Sequence, residues 1–379
     1  NEVHLERFSQ VPFLTKQIIR EQGRALISED CPRRGSYPNT SGGSTGEPVR
    51  FLQDARYKAH NWADVLLYNR VLGKELGMRE VKLWGSERDI LQGGTGWITQ
   101  MGNFLYNRLL LNSFLMTPDL MREYVSRINH FKPYSLWTYV ESAFELARFV
   151  DREKLSLVPI PVTITTAGTL TESVREFIEK HLQTKVHNQY GSREVGPIAC
   201  ECPMRNGLHL FEWTILLETV DEKGQSTEPG KEGEIVVTLL SNYSMPLIRY
   251  RIGDRGTLTE RSCPCGRQTR LLETVSGRIV DHFRLSDETL VGGEYFTHLL
   301  YHRPWVQKFQ FVQDRFDHVS VYLVVEQQPQ PSELDEIRSK VQVVMGKQCE
   351  VTFQFVEEVP PTTSGKRRYT VCAIAKEQS

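Results

Sequence analysis

The chain has 379 residues, 39% hydrophobic, 25% charged and 10% aromatic, and its 46 basic and 47 acidic side chains leave a formal net charge of −1. That length exceeds one small core and suits a large domain joined to a smaller one, and the composition is that of a globular protein, away from the disordered and membrane classes. A balanced charge gives no global field for nucleic acid or an anionic membrane, so the expected partner is a small molecule. No apolar run reaches bilayer length, and the opening NEVHLERFSQ has neither a basic start nor a hydrophobic signal segment, which predicts a cytoplasmic location. The first residue is Asn rather than Met, so some native N-terminal structure is expected to precede it.

The first distinctive stretch is NTSGGSTGEPVRF, residues 39–51. Thr40, Ser41, Gly42, Gly43, Ser44, Thr45 and Gly46 combine hydroxyls with glycine amides, a chemistry that suits phosphate oxygens. The run fails the Walker pattern, because Gly46 is followed by Glu47 and Pro48, and it fails the dinucleotide glycine spacing. Since VRFL reads as a strand, this is a loop between two strands, and by itself it reads equally as a solvated turn. Further on, TPDLMREYVSRINHF opens with Thr117 and Pro118 and reads as a helix, SLWTY (135–139) as a buried strand and ESAFELARFVDRE as an amphipathic helix. PVTITTAG (161–168) is a β-branched strand, Thr169 with Glu172 suggests a capping box for TESVREFIEKHL, and KVHNQYG (185–191) is the next strand. Strand and helix alternating at this spacing predict parallel pairing, with ligands at the carboxyl ends of the strands.

After about residue 208 the pattern turns antiparallel, with LHLFEWTILLETV, GEIVVTLLS and PLIRYRIGD as successive strands. From SGRIVDHFRL onward the strands VQKFQFV, HVSVYLVV and CEVTFQFV and the helix PSELDEIRSKVQVVM form a compact α+β unit. The expected fold class is therefore α/β: a large domain over residues 1–279 with a parallel sheet and a more antiparallel subregion, and a small C-terminal α+β domain over 280–379.

TSGGSTGEP resembles the phosphate loop of the adenylate-forming superfamily, and NQYGSRE (188–194), RYRIGD (249–254), SGRIVD (276–281) and PPTTSGKRRY (360–369) follow in that superfamily's order. Each match is weak alone, but five in order across residues 40–369 make a strong joint signal. The intervening MPLIRYRIGD, NGLH and CPCGR resemble the phenylacetate-CoA ligase branch and its capsule-biosynthesis relatives. The resemblance implies a ligase that joins a carboxylate to the α-phosphate of ATP, releases pyrophosphate and passes the acyl group to CoA or another nucleophile. It implies that the loop from Thr40 to Gly46 cradles pyrophosphate, that Mg²⁺ sits on Glu194, and that Asn188, Gln189, Tyr190 and Gly191 belong to the nucleotide site, with Tyr190 on the adenine. Ala167 and Gly168 would form the other wall, Asp254 would accept both ribose hydroxyls, and Arg278 would add a positive charge near ribose and phosphate. Lys366 would bridge the substrate carboxylate and the α-phosphate from a mobile small domain, although alone GKRR reads more commonly as a basic tail. The chain departs from the superfamily pattern at Val49, where a basic residue is usual and Arg50 is the nearest substitute, at Arg193 in place of a hydroxyl, and at Val280 in the hinge.

Seven cysteines, an odd number, argue against a disulfide framework. Cys200, Cys202, Cys263 and Cys265 come in two close pairs, and with His209 as a competing ligand they predict a structural Zn²⁺ held by four of these five residues. Reduced free thiols are the alternative, and Cys31, Cys349 and Cys372 read as packing residues. Trp84, Trp137 and Tyr139 lie at strand ends where they line either an acyl pocket or the core. The acceptor stays open between CoA and an amine or hydroxyl, a homodimer is allowed, and the competing class is a catalytically silent nucleotide- and zinc-binding interaction module.

Overall fold

The computed structural model describes residues 5–40, 49–85, 97–168, 170–276, 283–287, 289–300, 303, 305–359 and 369–374. These form two compact units, one containing residues 5–40, 49–73 and 187–276 and the other 74–186 and the described residues from 283 onward. The expected domain break near residue 280 falls in 277–282, outside the described residues.

The first unit starts from a hairpin in which Tyr37–Thr40 pairs antiparallel with Arg50–Gln53, Thr40 opposite Arg50. Asp54 then caps the helix Ala55–Val71 by accepting from the Tyr57 amide at 2.8 Å. Its second carboxylate oxygen accepts from the amides of Tyr243 (2.9 Å) and Ser244 (3.1 Å), so this fully buried charge is satisfied by backbone donors. Seven strands follow in one antiparallel ladder, in the spatial order Ile215–Val220, Glu232–Leu239, Tyr250–Thr259, Leu271–Ser276, Leu208–Leu210, Gly196–Glu201 and Thr184–Ser192. Ile235, Val236 and Val237 are all fully buried, so this strand is covered on both faces. The expected single strand LHLFEWTILLETV is instead two, Leu208–Leu210 and Ile215–Val220. The break has a cause remote in sequence: buried Asp64 accepts from Trp213 Nε1 at 2.6 Å and from Thr214 Oγ1 at 3.0 Å, which holds residues 211–214 in a turn.

The second unit contains a parallel sheet in the order Ile160–Thr166, Ser135–Tyr139, Glu80–Trp84 and Arg108–Asn112. The helix Pro118–Phe131 begins where the sequence signals it, Thr117 accepting from the Leu120 amide at 3.1 Å with Pro at the first helical position. In the helix Val140–Arg152, Val140, Ala143, Leu146, Ala147 and Val150 are buried at helical spacing. Ala143, Leu146, Ala147 and Val150 pack with Val81, Leu83 and Leu136 of the sheet, each buried leucine or valine contributing about 1.5–3 kcal/mol. The next helix, Glu172–Leu182, is capped by Thr171, whose hydroxyl accepts from the Val174 amide; the expected capping residue, Thr169, lies outside the described residues. Thr171 takes the role because its backbone is extended directly before the first helical turn.

The same unit holds a four-stranded sheet in the order Glu350–Phe355, His318–Val325, Val306–Arg315 and Thr370–Cys372, whose central pair is antiparallel and outer pairs parallel. The helix Pro331–Met345 lays Ile337, Val341 and Val344 against Phe309, Phe311, Val321 and Leu323. Among the described residues no helix is long and apolar enough to cross a membrane.

Candidate nucleotide site and metal centre

In the first unit the neck of the glycine and hydroxyl loop is fixed by side chains. Asn39 Nδ2 donates to Gln53 Oε1 at 2.8 Å across the hairpin, and Gln53 Nε2 donates to the Arg193 carbonyl at 2.9 Å. Thr40 is thereby tied to the turn that carries Glu194, whereas Ser41, Gly42, Gly43, Ser44, Thr45 and Gly46 lie outside the described residues. Val49, where the superfamily resemblance leads to a basic residue, is fully buried and Arg50 is exposed.

The strand Thr184–Ser192 presents Asn188, Gln189, Tyr190 and Gly191. The Tyr190 hydroxyl donates to Asp254 Oδ2 at 2.8 Å, so the residue expected on adenine and the carboxylate expected on ribose touch. Asn188 gives its amide to Glu201 at 2.7 Å, while its side-chain Oδ1 is buried with no hydrogen-bond partner, as is Ser192 Oγ. Orphaned polar atoms of this kind are what a bound polar ligand satisfies. Glu194 is 5% exposed and accepts from the Tyr250 hydroxyl at 3.3 Å, with the Lys16 ammonium 3.9 Å away. Gln53, Lys16 and Tyr250 went unrecognised in the sequence because the partners they reach in this site lie more than fifty residues distant and no local spacing announces them.

Gly191 has a strict local reason. A Cβ there would lie 2.7 Å from the Gly196 carbonyl oxygen and 3.2 Å from Pro197 Cα, both backbone atoms of the paired strand. Gly191→Ala is expected to cost about 1–3 kcal/mol, lowering the thermal midpoint by several degrees. A melting curve superimposable on the wild type would refute this.

In the second unit, Ala167 and Gly168 follow the Ile160–Thr166 strand at its carboxyl end. Ala167 holds φ 63, a left-handed backbone that non-glycine residues adopt at a cost, often at functional positions. A Cβ on Gly168 would lie 2.3 Å from the Glu141 carboxylate. Arg278 and Lys366 lie outside the described residues.

The cysteine and histidine candidates resolve into one group. Cys202, His209, Cys263 and Cys265 place their ligand atoms within 4.8 Å of one another, and Cys200 is not among them. The Cys202 and Cys263 sulfurs are 3.6 Å apart and Cys265 Sγ is 3.3 Å from His209 Nε2. Tetrahedral Zn²⁺ with bonds of about 2.3 Å to sulfur and about 2.0 Å to nitrogen requires S–S and S–N separations of about 3.8 and about 3.5 Å, so the group fits after small shifts. His209 Nδ1 bonds Thr269 Oγ1 at 2.9 Å, an outer contact that orients a ligating imidazole. Burial, reinforced by Arg267, lowers the His209 pKa and favours the neutral form that binds metal. Burial pushes the Cys202 thiol up to about 11. At Cys265 burial acts in the same sense but hydrogen bonds from the Arg267 backbone and side chain outweigh it, bringing the thiol to about 7. A cavity of about 270 Å³ lined by Leu67, Val71, Phe211 and Trp213 opens beside His209, and none of the nucleotide residues lines it.

Residues 285–373 match the family described as the CapK C-terminal domain. Protein CapK of Staphylococcus aureus is 25% identical over 374 residues, covering 97% of this chain and 81% of that protein. The phenylacetate-coenzyme A ligase of Thermus thermophilus is 37% identical over 138 residues, 35% of this chain and 30% of the ligase, and that of Pseudomonas putida 26% identical over 290 residues, 73% of this chain and 62% of the ligase. The crystal structure of 2-hydroxyisobutyryl-CoA ligase in complex with 2-HIB-AMP and CoA is similar with a TM-score of 0.59 and 19% identity, over 97% of this chain and 83% of that one. That likeness shows the adenylate-forming ligase fold. In sequence the chain is similar to CapK and to the phenylacetate-coenzyme A ligases, and in fold to the AMP-forming acid ligases.

Proposed function

We propose that the chain activates a carboxylic acid with ATP, forming an acyl adenylate and pyrophosphate, and then passes the acyl group to the thiol of CoA. The observation that carries this reading is the contact between Tyr190 and Asp254, with Glu194 on the turn after the same strand and tied to the neck of the loop through Gln53. Asp254 accepts the ribose hydroxyls, Tyr190 covers the adenine, and Asn188 Oδ1 accepts a donor from the nucleotide. Gln189 and Gly191 shape the strand, Thr40 to Gly46 hold the leaving pyrophosphate through amides and hydroxyls, and Arg278 stands near ribose and phosphate.

Two anions must meet for adenylation, so the barrier is mainly electrostatic. Glu194 is a single buried carboxylate, the ligand number that suits a Mg²⁺ held chiefly by substrate phosphates. That ion supplies charge neutralisation at the phosphates, and Lys366, on a small domain from about residue 280 onward that rotates between half-reactions, neutralises the carboxylate and α-phosphate. Cys202, His209, Cys263 and Cys265 hold a structural Zn²⁺. The location we propose is cytoplasmic, where thiols that ligate a metal stay reduced.

The test is pyrophosphate release with ATP, Mg²⁺ and a panel of carboxylic acids, read with and without CoA. Acid-dependent release is expected, with thioester formed when CoA is added. Amide or ester formation in place of thioester would transfer the second step to another nucleophile, and ATP binding with no release for any acid would leave the silent interaction module.

A further inference from the structure

In the second unit one cation has no ion-pair partner among the described residues. Lys82, in the Glu80–Trp84 strand, places its ammonium 4.7 Å from the Trp84 ring centroid and 5.9 Å from that of Trp137, its register partner on the neighbouring parallel strand. Trp84 packs on Tyr139 with ring centroids 4.3 Å apart. Glu80, two residues back on the same face, is already engaged by Lys74 and by Arg108, the latter at 2.6 Å. Among the described residues Lys82 makes no ion pair and no hydrogen bond. Among the described residues the group therefore sets three cations, Lys74, Lys82 and Arg108, against one carboxylate.

Such an excess is costly where water is scarce. Burial pulls the Lys82 pKa down to about 8, with Arg108 and Lys74 acting the same way and Glu80 opposing. At Glu80 burial acts to raise the pKa, but Lys74 and Arg108 prevail and lower it, so this carboxylate is committed to them. Contact with an aromatic face restores only part of what an ammonium loses on leaving water. The rings also lie where a ligand belongs: Trp84 and Tyr139 end two parallel strands at their carboxyl edge, the side at which such sheets bind ligands. An anion beside Lys82 would balance the group, and the indole and phenol rings would pack on an apolar body attached to it.

We propose that Lys82, between Trp84 and Trp137, recognises a second anionic group on the acid substrate, so that the preferred acid is a dicarboxylate or an equally charged acid with an apolar or aromatic body. The proposal rests on the acid-activation reading above. Lys82 is then a specificity-determining residue for the acid.

The test measures acid-dependent pyrophosphate release without CoA for matched pairs, each neutral monocarboxylate beside the dicarboxylate of the same skeleton, in wild type, Lys82→Met and Lys82→Arg. Quenching of tryptophan fluorescence by the same acids without ATP gives a second readout that needs no turnover. The wild type is expected to favour the dicarboxylate of a pair by at least about tenfold in kcat/KM, mainly through KM, because the second carboxylate gains a charge-assisted contact. In Lys82→Met that ratio is expected to fall by on the order of tenfold to a hundredfold, and Lys82→Arg should retain most of it. A wild-type preference for neutral acids, or a ratio unchanged in folded Lys82→Met, overturns the proposal. So does a dicarboxylate preference that emerges only with CoA present, since Lys82 would then be meeting a CoA phosphate. Absence of release from every acid counts against the acid-activation reading, and fluorescence then decides Lys82. Quenching by dicarboxylates alone, lost in Lys82→Met, supports an anion site, and equal quenching by both members of each pair rejects it.

Discussion

Replacing Lys366 with alanine is expected to slow acid-dependent pyrophosphate release by roughly a hundredfold to a thousandfold, the usual cost of one preorganised charge aimed at a developing oxyanion. Folding should be nearly untouched, because PTTSGKRR (361–368) is a polar segment without Val, Ile, Leu, Met or aromatic residues, and a surface change moves stability by about 0.5 kcal/mol or less. ATP binding should also survive, since Tyr190, Asp254 and Glu194 belong to the unit formed by 5–40, 49–73 and 187–276. If the small domain turns away after adenylation, a supplied acyl adenylate should still be transferred to the thiol by Lys366→Ala protein. The two half-reactions then respond differently to one substitution, which loss of fold does not produce. Near-normal pyrophosphate release from the folded variant would reduce Lys366 to part of a basic tail, and the adenylation mechanism would need another cation.

The readable parts of this chain were those whose signals are local. Thr117 and Pro118 announce a helix by themselves, and the alternation from SLWTY to KVHNQYG announces strands with helices between them; each appears at its place, SLWTY and the Ile160–Thr166 strand pairing in parallel, whereas KVHNQYG also pairs antiparallel with Gly196–Glu201. What sequence could not reveal depends on partners remote along the chain. Asp64 breaks a strand at 211–214 from about 150 residues away, and Gln53 reaches Arg193 across 140. Lys82 reads as an ordinary strand residue until Trp137 stands beside it and Glu80 is seen to be committed elsewhere. The cysteines show how backbone geometry separates equivalent motifs. CEC lies at the end of the Gly196–Glu201 strand, where residues two apart are about 6.6 Å distant along it, so only Cys202, beyond the strand, joins the group. CPC sits in a turn closed by the Gly266 amide on the Cys263 carbonyl at 3.1 Å, and both of its sulfurs converge.

That difference sets up the second large effect. Replacing Cys263 with serine, or stripping the metal with a chelator, is expected to leave a poorly folded, aggregation-prone protein, whereas Cys200→Ser should keep stoichiometric zinc. Structural zinc binds with an apparent free energy on the order of 10–16 kcal/mol, which is comparable with the entire stability of a domain at about 5–15 kcal/mol. The metal would join the end of the Gly196–Glu201 strand, the Leu208–Leu210 strand and the turn between Tyr250–Thr259 and Leu271–Ser276, all in the ladder that presents Tyr190 and Asp254. Without it Cys202 and Cys263 remain as buried thiols and the turn loses its anchor, so ATP binding should fall together with the melting temperature. Elemental analysis of freshly purified wild type, Cys200→Ser and Cys263→Ser, paired with thermal unfolding with and without chelator, separates the outcomes. Wild type free of metal, or melting unchanged on chelation, would make the four residues a thiol cluster packed for its own sake, and zinc lost from Cys200→Ser but retained by Cys263→Ser would mean that the wrong cysteine had been chosen.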